Sequence, residues 1–146
     1  MDWDAAPDRG STESGAPASA RTGSVSVLVV DDSPVFRRGM ARAVGVHAGL
    51  ELVGEADGGE AALAAIDRLR PDVVLLDLRM PDMDGLEVLD RIRDLDPPPG
   101  CRVLIVSASL DEEIKRTARA AGAVGCVSKE HARADICAAA LRMARE

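Results

Sequence analysis

Two adjacent carboxylates, Asp31 and Asp32, stand at the end of the apolar run "VLVV". A third, Asp77, closes "DVVLLD"; a hydroxyl, Ser107, closes "RVLIVS"; an ammonium, Lys129, directly follows "AVGCVS". Each group therefore ends or follows a short β-branched run of the kind that forms a strand buried on both faces. Carboxylates brought close together raise one another's pKa and cannot all stay ionised without a counter-charge. A hard divalent cation with oxygen ligands relieves that conflict. Mg2+ fits best, because it accepts a couple of carboxylates and keeps several waters. A carboxylate that also faces an ammonium and a hydroxyl is equipped to become an acyl phosphate. The cations neutralise the incoming phosphoryl oxygens and the hydroxyl donates to them. Asp77 is the acceptor on this reading, flanked by the acid doublet on one side and by Ser107 and Lys129 on the other.

This chemistry requires elements that bring the five groups together. From Val25 onward the chain alternates strand and helix patterns. "VSVLVV", "LELVGE", "DVVLLD", "RVLIVS" and "AVGCVS" read as strands. After the first, Val35, Phe36, Met40, Ala43 and Val44 fall on one face at helical spacing. "GGEAALAAIDRLR" follows the second strand and stops at Pro71. "DGLEVLDRIRDL" follows the third, with Asp84 as N-cap and "PPPG" as terminator. "DEEIKRTARAAG" follows the fourth, acids first, bases last, and Gly122 at its end. "HARADICAAALRMARE" closes the chain, with Ile136, Ala140 and Met143 in register.

Five alternating strands and helices predict an α/β, flavodoxin-like doubly wound fold: a five-stranded parallel sheet with helices on both faces. Periodicity does not set the strand order. The order 2-1-3-4-5 is one of two common solutions, and it makes strands 1, 3, 4 and 5 neighbours, with ligands bound beyond their carboxyl ends. Residues 1–24 are rich in Ser, Ala, Gly and Pro without apolar periodicity and read as a disordered tail; residues 25–146 read as the folded domain.

The bulk composition narrows the function classes. With 146 residues, 47% hydrophobic, a single globular domain is expected. No apolar stretch is long enough to span a bilayer, and the polar N-terminus lacks a signal-peptide core, which predicts a cytoplasmic protein without membrane contact. A net charge of -7 argues against direct nucleic-acid binding. Cys101, Cys126 and Cys137 form no CxxC pair and read as reduced, buried thiols. His47 and His131 have no positioned partner in the sequence and read as chemically idle. "ADGGEA" follows the second strand and matches no phosphate-loop pattern, so its glycines read as a helix opening. Lys115 and Lys129 are the only lysines, so Lys129 is not what this Arg-rich composition supplies by default.

"VLVVDDSPVFRRGM", "PDVVLLDLRMPDMDGLEVL", "VLIVSAS" and "GAVGCVSKE" occur in an order and at a spacing that resemble the receiver domains of two-component response regulators, over Val25 to Arg145. The resemblance implies that Asp77 is phosphorylated from a sensor histidine kinase or a phosphotransfer protein. It further implies that Asp31, Asp32 and Asp77 hold Mg2+ together with the backbone carbonyl of Arg79. Ser107 and Lys129 would contact the phosphoryl group, and Met80 and Pro81 would shape the site. Lys129 followed by Glu130 resembles the NarL/FixJ type. One position departs from the family: the aromatic switch residue, three before the lysine, is here Cys126, and the chain has no tyrosine. Cys126 is too small to fill an aromatic's volume. Output is therefore expected from the backbone after Ser107 and from a face formed by "DEEIKRTARA" and the last helix, suited to a docked partner or a weak homodimer.

Three rival readings differ in class. No helix-turn-helix follows Glu146, so the chain is either a stand-alone receiver or the input half of a longer DNA-binding regulator. A phospho-aspartate-type Mg2+ phosphatase also uses strand-end acids. Such enzymes typically carry a second acid two residues after the nucleophile, where this chain has Arg79, and a cap insertion for which it has no room. A degenerate receiver that only binds is disfavoured by the intact set of two acids, acceptor, hydroxyl and lysine.

Overall fold

A computed structural model describes residues 23–146. The tail expected over residues 1–24 lies almost wholly outside the described residues. Five strands, β1 (Val25–Val30), β2 (Leu50–Ala56), β3 (Val73–Leu76), β4 (Arg102–Ser107) and β5 (Gly125–Ser128), form one sheet in the order β2-β1-β3-β4-β5. All four pairings are parallel. The expected doubly wound order is the observed one.

Five helices connect and cover the sheet: α1 (Pro34–Val46), α2 (Gly59–Leu69), α3 (Gly85–Arg93), α4 (Glu112–Ala120) and α5 (Arg133–Ala144). The two faces of the sheet build two apolar clusters. Val27, Val29, Leu75 and Leu104 pack with Met40 and Val44 of α1 and Ile136 and Ala140 of α5. Leu28, Val30, Leu76 and Ile105 pack with Ile66 of α2, Val88 of α3 and Ala118 of α4. Strands covered on both faces explain the continuous apolar runs. At the amino end of the sheet, Asp72 fastens β3 to β1. Its Oδ2 accepts from the Ser26 backbone N–H at 2.9 Å, and its own N–H donates to Ser26 Oγ at 2.8 Å.

Local signals set the helix ends. Ser33 caps α1, with Oγ facing the Phe36 N–H at 3.5 Å; Asp84 caps α3 and Asp111 caps α4 at 2.9 and 2.8 Å. Gly122, at φ +115°, follows the end of α4, where L-residues are disfavoured. The helix before Pro71 ends at Leu69, with Arg70 itself in the left-handed region at φ 48°. One expectation is corrected. Val35 is 80% exposed and does not belong to the buried face of α1. Phe36, Met40, Ala43 and Val44 lie toward the core, whereas Val35 shares a solvent stripe with Arg42 and the equally exposed Val46.

Gly85 determines how closely α3 approaches the strand end that carries Asp77. A Cβ on Gly85 would lie 2.7 Å from the Asp77 carbonyl oxygen and 3.1 Å from the Leu78 Cα, both backbone atoms that cannot swing aside. In an open helix, Gly→Ala is stabilising. Here Gly85→Ala is expected to lower stability by about 2 kcal/mol through overpacking. A urea melt checks it, and an unchanged or raised midpoint would contradict the close approach.

Candidate functional site

The carboxyl ends of β1, β3, β4 and β5 lie side by side, so the residues that follow them meet on one edge of the sheet. Asp31 and Asp77 are both buried, whereas Asp32 is exposed. One oxygen from each of Asp31, Asp32 and Asp77 lies within 4.8 Å of the others. Lys129 reaches into this cluster. Its Nζ is 2.7 Å from Asp31 Oδ2 and 3.5 Å from Asp77 Oδ1. The five expected groups therefore occupy one end of the sheet, and four of them form a single charged cluster.

Each side chain is held by its own local geometry. Asp31 Oδ1 accepts from the Ser33 N–H at 2.8 Å. The Asp31 carbonyl accepts from Arg37 Nη1 at 2.9 Å, and Arg37 Nε reaches Glu55 Oε1 at 3.1 Å, tying α1 to the ends of β1 and β2. The Asp77 carboxylate accepts from the Arg79 backbone N–H. Lys129 is placed by its own N–H, which donates to the Ser107 carbonyl at 2.9 Å. Ser107 is buried, and its hydroxyl is engaged within its own loop: Oγ accepts from the Ser109 N–H at 3.2 Å and donates to the Ser109 carbonyl at 3.5 Å. It stands beside the cluster without bonding to it.

Burial pushes the Asp77 carboxyl up from 3.8 to about 6, and the Asp31 charge adds to the rise; Lys129 and the Arg79 N–H act against it. The like-charge conflict expected among the three carboxylates is thus felt at Asp77, with Asp31 as its charged neighbour. Asp32 is solvated, and water screens its charge.

A hard-cation site is what these donors suit. Three carboxylate oxygens lie close together, the Lys129 ammonium touches those of Asp31 and Asp77, and no soft ligand is present in the cluster. A cavity of about 540 Å3 opens beside Asp32, between Arg79, Met80 and Pro81 on one side and Ile114 of α4 on the other. Cys126 is half-buried on β5 opposite Ile105, and burial raises its thiol pKa. With Ala108, Leu110 and Lys115 it lines a second cavity of about 350 Å3. Cys101 is likewise half-buried, and Cys137 is fully buried; all three cysteines are free. His47 Nδ1 accepts from the Gly49 N–H at 3.1 Å, a turn contact remote from the cluster.

Three contributors were not legible in the sequence. Arg37 secures the Asp31 backbone. Asp82, in the loop after Asp77, caps α2 from a distance, accepting from the Gly59 and Glu60 N–H groups at 2.9 and 3.0 Å because Gly58 has no side chain to do so. Those bonds hold the Asp82 carboxyl below its ordinary range and fix the loop that carries Met80 and Pro81. The third is Phe36, whose ring lies beneath Lys129.

Comparison with known proteins agrees with this architecture. Residues 27–141 match the family model for the response regulator receiver domain. The chain is 43% identical over 121 residues to a probable transcriptional regulatory protein NarL of Mycobacterium tuberculosis, which covers 83% of this chain and 55% of that protein. It is also 43% identical over 112 residues to a protein-glutamate methylesterase/protein-glutamine glutaminase of Cereibacter sphaeroides, covering 77% of this chain and 30% of the other. The chain thus spans about half the length of the first relative and under a third of the second. The solved signal receiver domain of the putative response regulator NarL from M. tuberculosis superposes with a TM-score of 0.78, covering 84% of this chain and 97% of that one. No helix among the described residues is long and apolar enough to cross a membrane. With the sheet order, the strand-end acids and lysine, and these matches in agreement, the chain belongs to the response regulator receiver domains of two-component systems.

Proposed function

We propose that this receiver is a phosphorylation-controlled switch in which Asp77 accepts a phosphoryl group from a histidine kinase or phosphotransfer protein. The observation that carries this reading is the Lys129 ammonium set between the buried carboxylates of Asp31 and Asp77. An Asp77 oxygen attacks the phosphorus of a phosphohistidine; the new O–P bond forms as the N–P bond breaks, and the imidazole leaves with the electron pair. Asp31, Asp32, Asp77 and the backbone carbonyl of Arg79 would hold Mg2+, whose charge neutralises the phosphoryl oxygens when it is bound. Lys129 then exchanges its Asp31 contact for a phosphoryl oxygen. Ser107 reaches the same group only by leaving Ser109, so phosphorylation draws on the backbone after β4. That backbone leads into α4, which with α5 forms the face for a docked partner or a weak homodimer.

The chain itself is a signalling part with no substrate turnover of its own beyond phosphoryl uptake and loss. Residues 25–146 act as the folded unit, in the cytoplasm, with no direct contact to nucleic acid. A second reading rests on the share of the M. tuberculosis relative that is matched, 55%: this receiver is the input half of a longer DNA-binding regulator. The primary reading is tested by intact-mass measurement after incubation with acetyl phosphate. One phosphoryl adduct is expected in Mg2+ and none in EDTA. Equal adduct in both, or none in either, would remove the proposed role of the acidic cluster.

A further inference from the structure

Phe36 is the one aromatic residue among the described residues, and its ring lies against the cation of the site. Lys129 Nζ stands 4.6 Å from the ring centroid, and the Arg133 guanidinium carbon stands 5.4 Å from it. Aromatic faces carry the negative part of the ring quadrupole and attract cations at such distances. The same Nζ contacts Asp31 Oδ2 at 2.7 Å and Asp77 Oδ1 at 3.5 Å. Two carboxylates and one ring therefore confine the ammonium. A lysine needs such a wall. Its stem is long and flexible, its head is strongly hydrated, and the Lys129 side chain is 18% exposed, which leaves a route to water.

A second residue maintains the arrangement. Gly39 lies nearly one turn beyond Phe36 on α1. A Cβ there would stand 2.7 Å from Arg133 Nε and 2.8 Å from Arg133 Cζ. The missing side chain admits the α5 guanidinium across α1 and onto the same ring. Phe36 thus joins the beginning of α1, the beginning of α5 and the end of β5 at one point.

We propose that Phe36 is a positioning residue whose ring holds the Lys129 ammonium within reach of Asp77. Its consequence for phosphoryl uptake rests on the function proposed above for Asp77 and Lys129. Without the ring, the ammonium spends more of its time in solvent, and uptake slows without loss of any group that touches the phosphoryl oxygens.

The chain has a single phenylalanine, so biosynthetic incorporation of fluorinated phenylalanine alters this ring alone. Fluorines withdraw electron density from the ring face while changing its volume little, which separates cation attraction from packing. The rate of uptake from acetyl phosphate in Mg2+ is expected to fall about five-fold in Phe36→Leu. It should fall stepwise through mono-, di- and trifluorophenylalanine. A trifluorinated protein as fast as the unmodified one would overturn the proposal. Lysine ε-proton shifts give a readout that does not depend on uptake, since Lys115 and Lys129 yield two signals. Lys129 is expected to be displaced upfield by the ring and to approach Lys115 in Phe36→Leu. Absence of that displacement in the unmodified protein would equally overturn the proposal. If no form takes up phosphoryl, the function assigned to Asp77 fails, and the ε-proton displacement alone decides whether Phe36 positions the ammonium.

Discussion

Asp77→Asn is expected to abolish phosphoryl uptake and, at the same time, to stabilise the metal-free protein. The amide is no nucleophile, so intact mass after treatment with acetyl phosphate should show no adduct under conditions that label the unmodified chain. The stability gain follows from the raised carboxyl pKa. In the folded protein the proton leaves Asp77 near 6 instead of 3.8. Its contribution to stability is therefore fully present below 3.8 and lost as pH rises through about 6. At pH 8 in EDTA the ionised Asp77 should lower stability by on the order of 2 kcal/mol. Urea melts of the unmodified protein in EDTA should accordingly weaken between pH 5 and pH 8, whereas Asp77→Asn should lose much of that slope and be more stable at pH 8. A variant that is less stable than the parent at pH 8 in EDTA would contradict the account of a strained, buried carboxylate. Adduct formation on the variant at the parent's rate would remove Asp77 as acceptor.

Lys129→Ala should have the opposite effect on stability. Its Nζ faces two carboxylates whose side chains are only 2% and 6% exposed. Removing one partner of a buried ion pair leaves uncompensated charge, which costs several kcal/mol when the site is dry. Lys129 itself retains some access to water, so a loss of about 3 kcal/mol is expected in EDTA at neutral pH. Adding Mg2+ should restore more stability to Lys129→Ala than it adds to the parent, because the divalent ion supplies the missing positive charge and no longer competes with Nζ for Asp31 Oδ2. Phosphoryl uptake should nonetheless fall roughly 100-fold, the scale seen when one donor to a developing negative charge is lost. Lys129→Arg separates the two roles. It keeps the charge, and with it most of the stability, but its planar guanidinium does not reproduce the compact ammonium. Parent-like stability of Lys129→Ala in EDTA would show that the ion pairs do not hold this end of the sheet.

The alternation of strand and helix, the cap at Asp84 and the stop at Gly122 were determined by the sequence alone. These features depend on residues within a turn or two of one another, where apolar spacing and single side chains decide the outcome. The placing of Asp31, Asp32, Asp77, Ser107 and Lys129 at one end was also legible. Once strands are parallel and neighbouring, whatever follows them must share an edge. Val35 shows the limit of the same reasoning: helical spacing admitted it to the apolar face, and only packing against the sheet excluded it. The tertiary structure alone decided which acids carry the strain. Asp31 and Asp32 are equivalent in sequence, yet one is buried against Lys129 and the other is solvated. It also turned the Ser107 hydroxyl into its own loop, brought Asp82 onto the amino end of α2 and set the Phe36 ring under the ammonium. Burial and pair distances arise from segments far apart along the chain that meet only after folding, and local periodicity carries no information about them.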